Sequence, residues 1–215
     1  ELGVRGANTV INDPGYWMFG KHRFRSHGDG GLGAVNMYRS IVKSSNVYYY
    51  SLANEMGVEA MHDCMAPLGF GQMTGIDLYG EVRGLLPNQA WKREYFKNAK
   101  NQKKRDWVAG ETISLGIGQG YNNFTILQLA HATSILANGG RSFRPHLALA
   151  TQDLASGQRT PIVQPPPTNL GYKPENIEAV RKALVGVTTE GTSQGVFRGT
   201  PYISAGKTGT AQAAS

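Results

Sequence analysis

A single cysteine, Cys64, stands among 215 residues, so neither an intrachain disulfide nor a cysteine-rich metal site is open to this chain. Its surroundings, EAMHDCMAPL, have helical character, and the residue reads as a packing group, the commonest role of an unpaired cysteine. Long apolar runs are also missing. None approaches the roughly 18 residues of a membrane span, and the opening ELGVRGANTV lacks the basic-then-apolar order of a signal peptide. If the protein is exported or anchored, that signal is expected outside these residues. Acidic residues are in deficit, 15 Asp and Glu against 22 Lys and Arg, for a net charge of +7. The densest basic stretch, Lys97 to Arg105 (KNAKNQKKR), has no aromatic residue interleaved for base stacking and no nucleic-acid motif beside it, so no nucleic-acid partner is expected. It reads first as a solvated loop, although a patch of this kind also suits anionic lipid or a carboxylate-bearing ligand.

With 40% hydrophobic residues the chain is long enough to bury a real core. The first 33 residues are rich in glycine and turns, and periodicity begins after them. Ala34 to Lys43 reads as a helix. A second helix follows Ser44-Ser45-Asn46, with Tyr49, Leu52, Ala53 and Met56 on one face and Gly57 as its stop. Val58, Met61 and Met65 continue on a third, short helix closed by Pro67 and Gly69. Residues 70 to 110 show no clean period and read mostly as loop. Thr125 and Gln128 form a capping box that opens a helix to about Ala137. Leu147 to Thr151 and Pro161 to Gln164 read as strands around a turn at Ser156-Gly157. Pro174, a proline suited to the first turn, opens a helix with Ile177, Val180, Leu184 and Val187 on one face. Helices followed by strands with one helix between them predict an α/β or α+β fold in which helices cover an antiparallel sheet.

Near the end of the chain, ISAGKTGTAQ (Ile203 to Gln212) reads as a strand with unusual contents. Alternation puts Lys207 and Gly209 on one face and Thr208 and Thr210 on the other. The glycine lets a second backbone lie close, and a lysine with neighbouring hydroxyls suits a carboxylate. An edge strand with a solvated lysine would show the same letters. Ser44-Ser45-Asn46, just before a helix, is likewise an ordinary capping sequence. Together and in this order, Ser-x-Asn and Lys-Thr-Gly are two of the three motifs of the active-site serine penicilloyl-transferases, the third being Ser-x-x-Lys.

Five blocks extend the match: SSNVYYYSLANEMG, LGFGQMTGIDLYGE, GLLPN, ISLGIGQGYNNFTILQLAHATSILANGG and AGKTGTAQ. In this order they resemble the transpeptidase domain of the class B penicillin-binding proteins, in particular the penicillin-binding protein 2 branch that serves cell elongation. Ile126 departs from that pattern, where the family has proline. The resemblance implies a penicillin-binding transpeptidase or serine β-lactamase-like fold with an added helical subdomain, here one partial domain over residues 1–215. It implies peptidoglycan D,D-transpeptidation through a serine acyl-enzyme, stem peptides ending in D-Ala-D-Ala as substrates, and β-lactam antibiotics as trapping ligands. It further implies partners in a membrane glycosyltransferase and the elongation complex, a place on the periplasmic face of the bacterial inner membrane, and no cofactor. By the same resemblance Ser44 relays a proton to the leaving amine, and Asn46 hydrogen-bonds the substrate amide. Lys207 supplies positive potential, Thr208 and Thr210 grip the terminal carboxylate with Gly209 between them, and the Thr210 amide is one oxyanion donor.

The family places its Ser-x-x-Lys roughly fifty residues before Ser-x-Asn, so the nucleophile is expected upstream of Glu1, with further strands and a closing helix downstream of Ser215. Ser40-Ile-Val-Lys43 fits the letters, yet a Ser40 amide engaged inside a helix cannot serve an oxyanion. These residues alone are therefore expected neither to acylate with penicillin nor to turn over peptide. Relatives that hold zinc do so with Asp, Asp, His and Cys; the matching positions here are Asp13, Ser26, Leu32 and Ser45, and no structural zinc is expected. The competing readings are a serine β-lactamase or D,D-carboxypeptidase, and a non-catalytic β-lactam-sensing module of the same fold.

Overall fold

The computed structural model describes residues 2–26 and 30–210; His27 and the expected strand's Ala211 and Gln212 lie outside the described residues. The elements in chain order are β1 (Ile11–Asp13), β2 (Tyr16–Phe19), β3 (His22–Arg25), β4 (Gly33–Val35), α1 (Met37–Val42) and α2 (Asn46–Met65), then α3 (Gln89–Tyr95), α4 (Gln102–Arg105), α5 (Ala109–Leu115) and α6 (Ile126–Ala137). They continue with β5 (Arg141–Ser142), β6 (Ala150–Gln152), β7 (Arg159–Pro161), β8 (Thr168–Asn169), α7 (Pro174–Thr189) and α8 (Gln194–Phe197). The mixed content agrees with the expected class, but the antiparallel pairing among the described residues consists of four two-stranded ladders, β1 with β4, β2 with β3, β5 with β8 and β6 with β7, and one isolated bridge between Leu85 and Asn123. The chain divides into two compact units, residues 1–62, 87–122 and 173–215 in the first and 63–86 and 123–172 in the second.

The first unit is built on α1 against α7. Ile41, Ala183 and Val187 are buried together, with Met37, Tyr38, Tyr49 and Leu184 packed around them. Burial of side chains such as Ile41 and Val187 stabilises the unit by about 1.5–3 kcal/mol each. The helices meet at Gly186, where a Cβ would come within 2.5 Å of the Tyr38 hydroxyl and 2.7 Å of Val42 Cγ2; only glycine permits that approach. The helix expected from Ala34 instead starts at Met37, because residues 33–35 pair as β4 and the Asn36 side chain caps α1 by accepting from Arg39 N at 2.9 Å. Gly57, read as a stop, is a break inside α2 with φ 75°. Residues 70 to 110, read mostly as loop, carry α3, α4 and the start of α5. The first is capped by Asn88, which accepts from Trp91 N at 2.8 Å, and the third by Glu111, which accepts from Val108 N at 3.0 Å. These helices are too short for an apolar period to register. An ion pair of buried Lys92 and partly exposed Glu111 joins two of them: Lys92 Nζ donates to both Glu111 carboxylate oxygens, at 2.6 and 2.7 Å, and to Asp106 O at 2.7 Å.

In the second unit the capping box at Thr125 forms as read. Thr125 Oγ1 accepts from Gln128 N at 3.1 Å, and Gln128 Oε1 accepts from Thr125 N at 3.0 Å. The buried Gln128 amide also donates to Gln72 O and Arg83 O, at 2.6 and 2.7 Å, tying the loop between α2 and α3 to α6. The β6–β7 hairpin pairs Ala150 with Pro161 and Gln152 with Arg159 around an Asp153 turn, so the ladder lies nearer the turn than the expected strands. No helix of the described residues is long and apolar enough to cross a membrane.

Candidate active site

The site begins at the turn between α1 and α2. Ser44 is the one non-glycine among the described residues with positive φ, 56°, a left-handed conformation that costs an L-residue on the order of 1–2 kcal/mol. Neighbouring contacts hold it there. Ser45 N donates to Ser40 O at 2.9 Å. The buried Ser45 hydroxyl donates to the buried Asp13 carboxylate at 2.5 Å while accepting from Tyr48 N at 3.2 Å, so it serves α2 as a cap and β1 as an anchor.

The Lys-Thr-Gly segment arrives from the other side. Residues 203–210 form no ladder among the described residues, where a strand was expected. A strand needs a hydrogen-bonded neighbour; this segment is held instead along α7, by Gly206 N donating to Leu184 O at 3.0 Å and Thr188 Oγ1 donating to Ser204 O at 2.7 Å. The result brings Lys207 Nζ within 2.7 Å of Ser44 Oγ, across 163 residues of sequence, with a second bond to Thr208 O at 3.0 Å. Desolvation pulls the Lys207 pKa below that of an ordinary lysine, and among the described residues no carboxylate pairs with it.

A cavity of roughly 1090 Å³ opens over these groups. Ser44, Asn46, Lys207, Thr208, Gly209 and Thr210 all border it, so every residue the sequence singled out for the site lies on one wall system. Arg23, Arg25 and Lys43 also line it, and among the described residues no Asp or Glu does; such a lining favours an anionic guest. A second, smaller cavity of about 250 Å³, bordered by Thr188, Phe197 and Tyr202 among others, gathers no comparable set of groups.

Sequence reasoning left three contributors without a role. Thr192 lies 2.9 Å from Thr208, hydroxyl to hydroxyl. Its segment is fixed by Thr192 N donating to Val42 O at 3.3 Å, Lys43 Nζ donating to Glu190 O at 2.6 Å, and the Tyr38 hydroxyl donating to the Glu190 carboxylate. Ser114 and Gly116, in the glycine-rich ISLGIGQG stretch, border the cavity. A Cβ on Gly116 would meet Ala53 Cβ at 2.6 Å and Tyr49 O at 2.7 Å, so that glycine allows α5 to lie against α2. The family resemblance marked the stretch in advance without giving Ser114 or Gly116 a role.

Ser40, which with Lys43 fits Ser-x-x-Lys by its letters, as Ser204 with Lys207 also does, is buried. Its amide donates to Asn36 O at 2.9 Å and its hydroxyl to Met37 O at 2.7 Å, with Tyr49 OH at 3.2 Å. Burial pushes the Tyr49 phenol up to about 12. Among the described residues no group of three or more His, Cys, Asp or Glu is placed to hold a metal. Asp13 and Ser45, two of the four positions that the resemblance matched to zinc ligands, are bonded to each other here.

Known proteins bear on this geometry. A curated relative, the peptidoglycan D,D-transpeptidase MrdA of Acinetobacter baumannii, is 42% identical over 100% of this chain and 31% of its own length. The chain thus spans about a third of the curated relatives it matches. Among solved structures, Pseudomonas aeruginosa PBP2 in complex with WCK 5153 superposes with a TM-score of 0.83 at 35% identity, over 98% of this chain and 46% of that one. Helicobacter pylori PBP2, solved in complex with MreC, gives 0.82 at 31% identity, over 97% and 36%. The family model for the penicillin binding protein transpeptidase domain matches residues 2–215. The chain therefore belongs to the penicillin-binding protein transpeptidase family.

Proposed function

We propose that the chain is part of a single transpeptidase domain that cross-links peptidoglycan stem peptides through a serine acyl-enzyme, and that β-lactams acylate the same centre. The observation that carries this reading is the 2.7 Å bond from Lys207 Nζ to Ser44 Oγ, in a cavity bordered by cations and by Asn46, Thr208 and Thr210. The serine oxygen attacks the carbonyl of the penultimate D-alanine. The C–N bond breaks, and the terminal D-alanine leaves as an amine carrying a proton. An amine of a second strand then attacks the ester and restores the serine. In this scheme Ser44 passes the proton to the departing nitrogen, and Lys207 keeps that hydroxyl oriented and stabilises developing negative charge. Asn46 bonds the substrate amide. The hydroxyls of Thr208 and Thr210 hold the terminal carboxylate, and the Thr210 N–H points to the oxyanion. Ser40 is unsuited to the attack because its amide and hydroxyl are already engaged, so the attacking serine belongs to a different Ser-x-x-Lys pair. We extend the reading, on the family resemblance, to a place at the periplasmic face of the inner membrane and to partners in the elongation complex and a membrane glycosyltransferase; the complex of Helicobacter pylori PBP2 with MreC supports a partner of the MreC kind.

The test is a fluorescence titration of a labelled stem peptide ending in D-Ala-D-Ala against the same peptide amidated at its C-terminus. Loss of a charge-assisted carboxylate contact predicts binding weaker by about tenfold or more for the amide. Equal affinities would overturn the assignment.

A further inference from the structure

The positive charge of this chain is concentrated in one place. Between Lys92 and Arg105 there are seven cations and one anion, Glu94, a local excess of +6 against +7 for all 215 residues. Part of that charge is used internally, since Lys92 is buried on Glu111 and Lys97 pairs with Glu94 at 2.6 Å. Lys100, Lys103 and Lys104 are exposed, and among the described residues no carboxylate lies within ion-pair reach of them. The last two sit on α4, held by Asn101, whose side chain accepts from Lys103 N at 3.0 Å. Exposed amides of Asn98 and Gln102 alternate with the lysines. Beside them Tyr95, 68% exposed, stacks on Trp91 with centroids 5.1 Å apart and 28° between planes.

We infer that this patch is a docking surface for the carboxylate-bearing glycopeptide polymer itself, separate from the cavity that takes the stem-peptide end. The inference rests on the peptidoglycan reading above. A polymer with carboxylates repeated along its peptides offers charge complementarity to several lysines at once, and many weak contacts add through effective concentration. Lysine suits this task, being a mobile point charge that needs no fixed partner geometry. The interspersed amides and the exposed tyrosine face match sugar hydroxyls and the apolar face of a pyranose ring. A bilayer surface fits less well, because the exposed large apolar side chains beside the lysines are Tyr95 and Val108 alone, too few for the apolar face that seats a helix in a membrane.

The experiment is co-sedimentation of the chain with insoluble peptidoglycan at low and high salt. The parent is compared with the triple variant Lys100→Gln, Lys103→Gln, Lys104→Gln, after melting curves have shown that both fold alike. At low salt the variant is expected to bind about tenfold more weakly, and salt should abolish most of the parent's binding. Peptidoglycan with its carboxylates amidated should release the parent as the variant does. Unchanged sedimentation of the variant, or retention on the amidated polymer, would overturn the inference. So would equal, patch-dependent sedimentation with phosphatidylglycerol vesicles, which would identify a general polyanion surface. Affinity for the soluble D-Ala-D-Ala peptide should be the same in parent and variant. If the parent fails to bind that peptide at all, the cavity reading fails, and the polymer measurement still stands as a separate result.

Discussion

The Ser45 hydroxyl donates to the Asp13 carboxylate at 2.5 Å, across 32 residues of sequence, and both side chains are shut away from water. Asp13 also accepts from Gly15 N at 2.8 Å. One carboxylate therefore secures the glycine-rich entry segment and the turn that carries Ser44. Removing the hydroxyl with Ser45→Ala leaves a buried carboxylate short of a partner, which costs about 1–3 kcal/mol. Urea unfolding should show that loss, and peptide affinity at the cavity should fall with it because the Ser44 turn loosens. A stability within about 0.5 kcal/mol of the parent would mean that the bond anchors nothing.

Lys207 sets the expected pH response. Its lowered pKa means that the folded state holds the lysine proton less tightly than the unfolded chain does, so the unfolded chain binds more protons in the window between the lowered value and the ordinary 10.5. Stability should therefore rise as pH climbs through that window. Binding of a carboxylate peptide should change in the opposite sense, weakening as the ammonium is lost at a pH below 10.5. Lys207→Arg, always charged, should bind with no such fall over the same range. A peptide affinity flat to pH 10.5 in the parent would contradict this assignment.

The pair of buried Lys92 and partly exposed Glu111 gives a third expectation. Lys92→Met takes the main partner from the Glu111 carboxylate, which water still reaches, and should destabilise by about 1–3 kcal/mol, whereas Lys92→Met with Glu111→Leu should recover most of that loss. Thermal melts of the two variants separate these cases. If the double variant is no better than the single one, the pair's hydrogen bonds to Asp106 O and Tyr121 OH matter more than its charge.

How much was legible beforehand differs by element. Helix signals tied to a local residue were readable: Pro174 opens α7, Thr125 and Gln128 cap α6, and Gly57 breaks α2. The short helices α3 and α5 were not, since each covers two turns and is stabilised by a cap and by the distant Lys92–Glu111 bond rather than by a period. Strand expectations at residues 203–210 failed for a related reason, because ladder partners are a property of the rest of the fold and not of the segment. For the site, Ser44, Asn46 and Lys207 to Thr210 were visible through their motifs and the family resemblance. The role of Thr192 depends on a tertiary contact with Thr208 that no local pattern announces.

The most direct test of the central claim is a double-mutant cycle on Ser44→Ala and Lys207→Ala, read as the affinity for a peptide ending in D-Ala-D-Ala. Contact between the two groups predicts a coupling of about 0.5–3 kcal/mol, so that the second substitution costs less once the first is made. Strictly additive losses would show that the hydroxyl and the ammonium do not act together, and the assignment of this cavity as a transpeptidase site would fail.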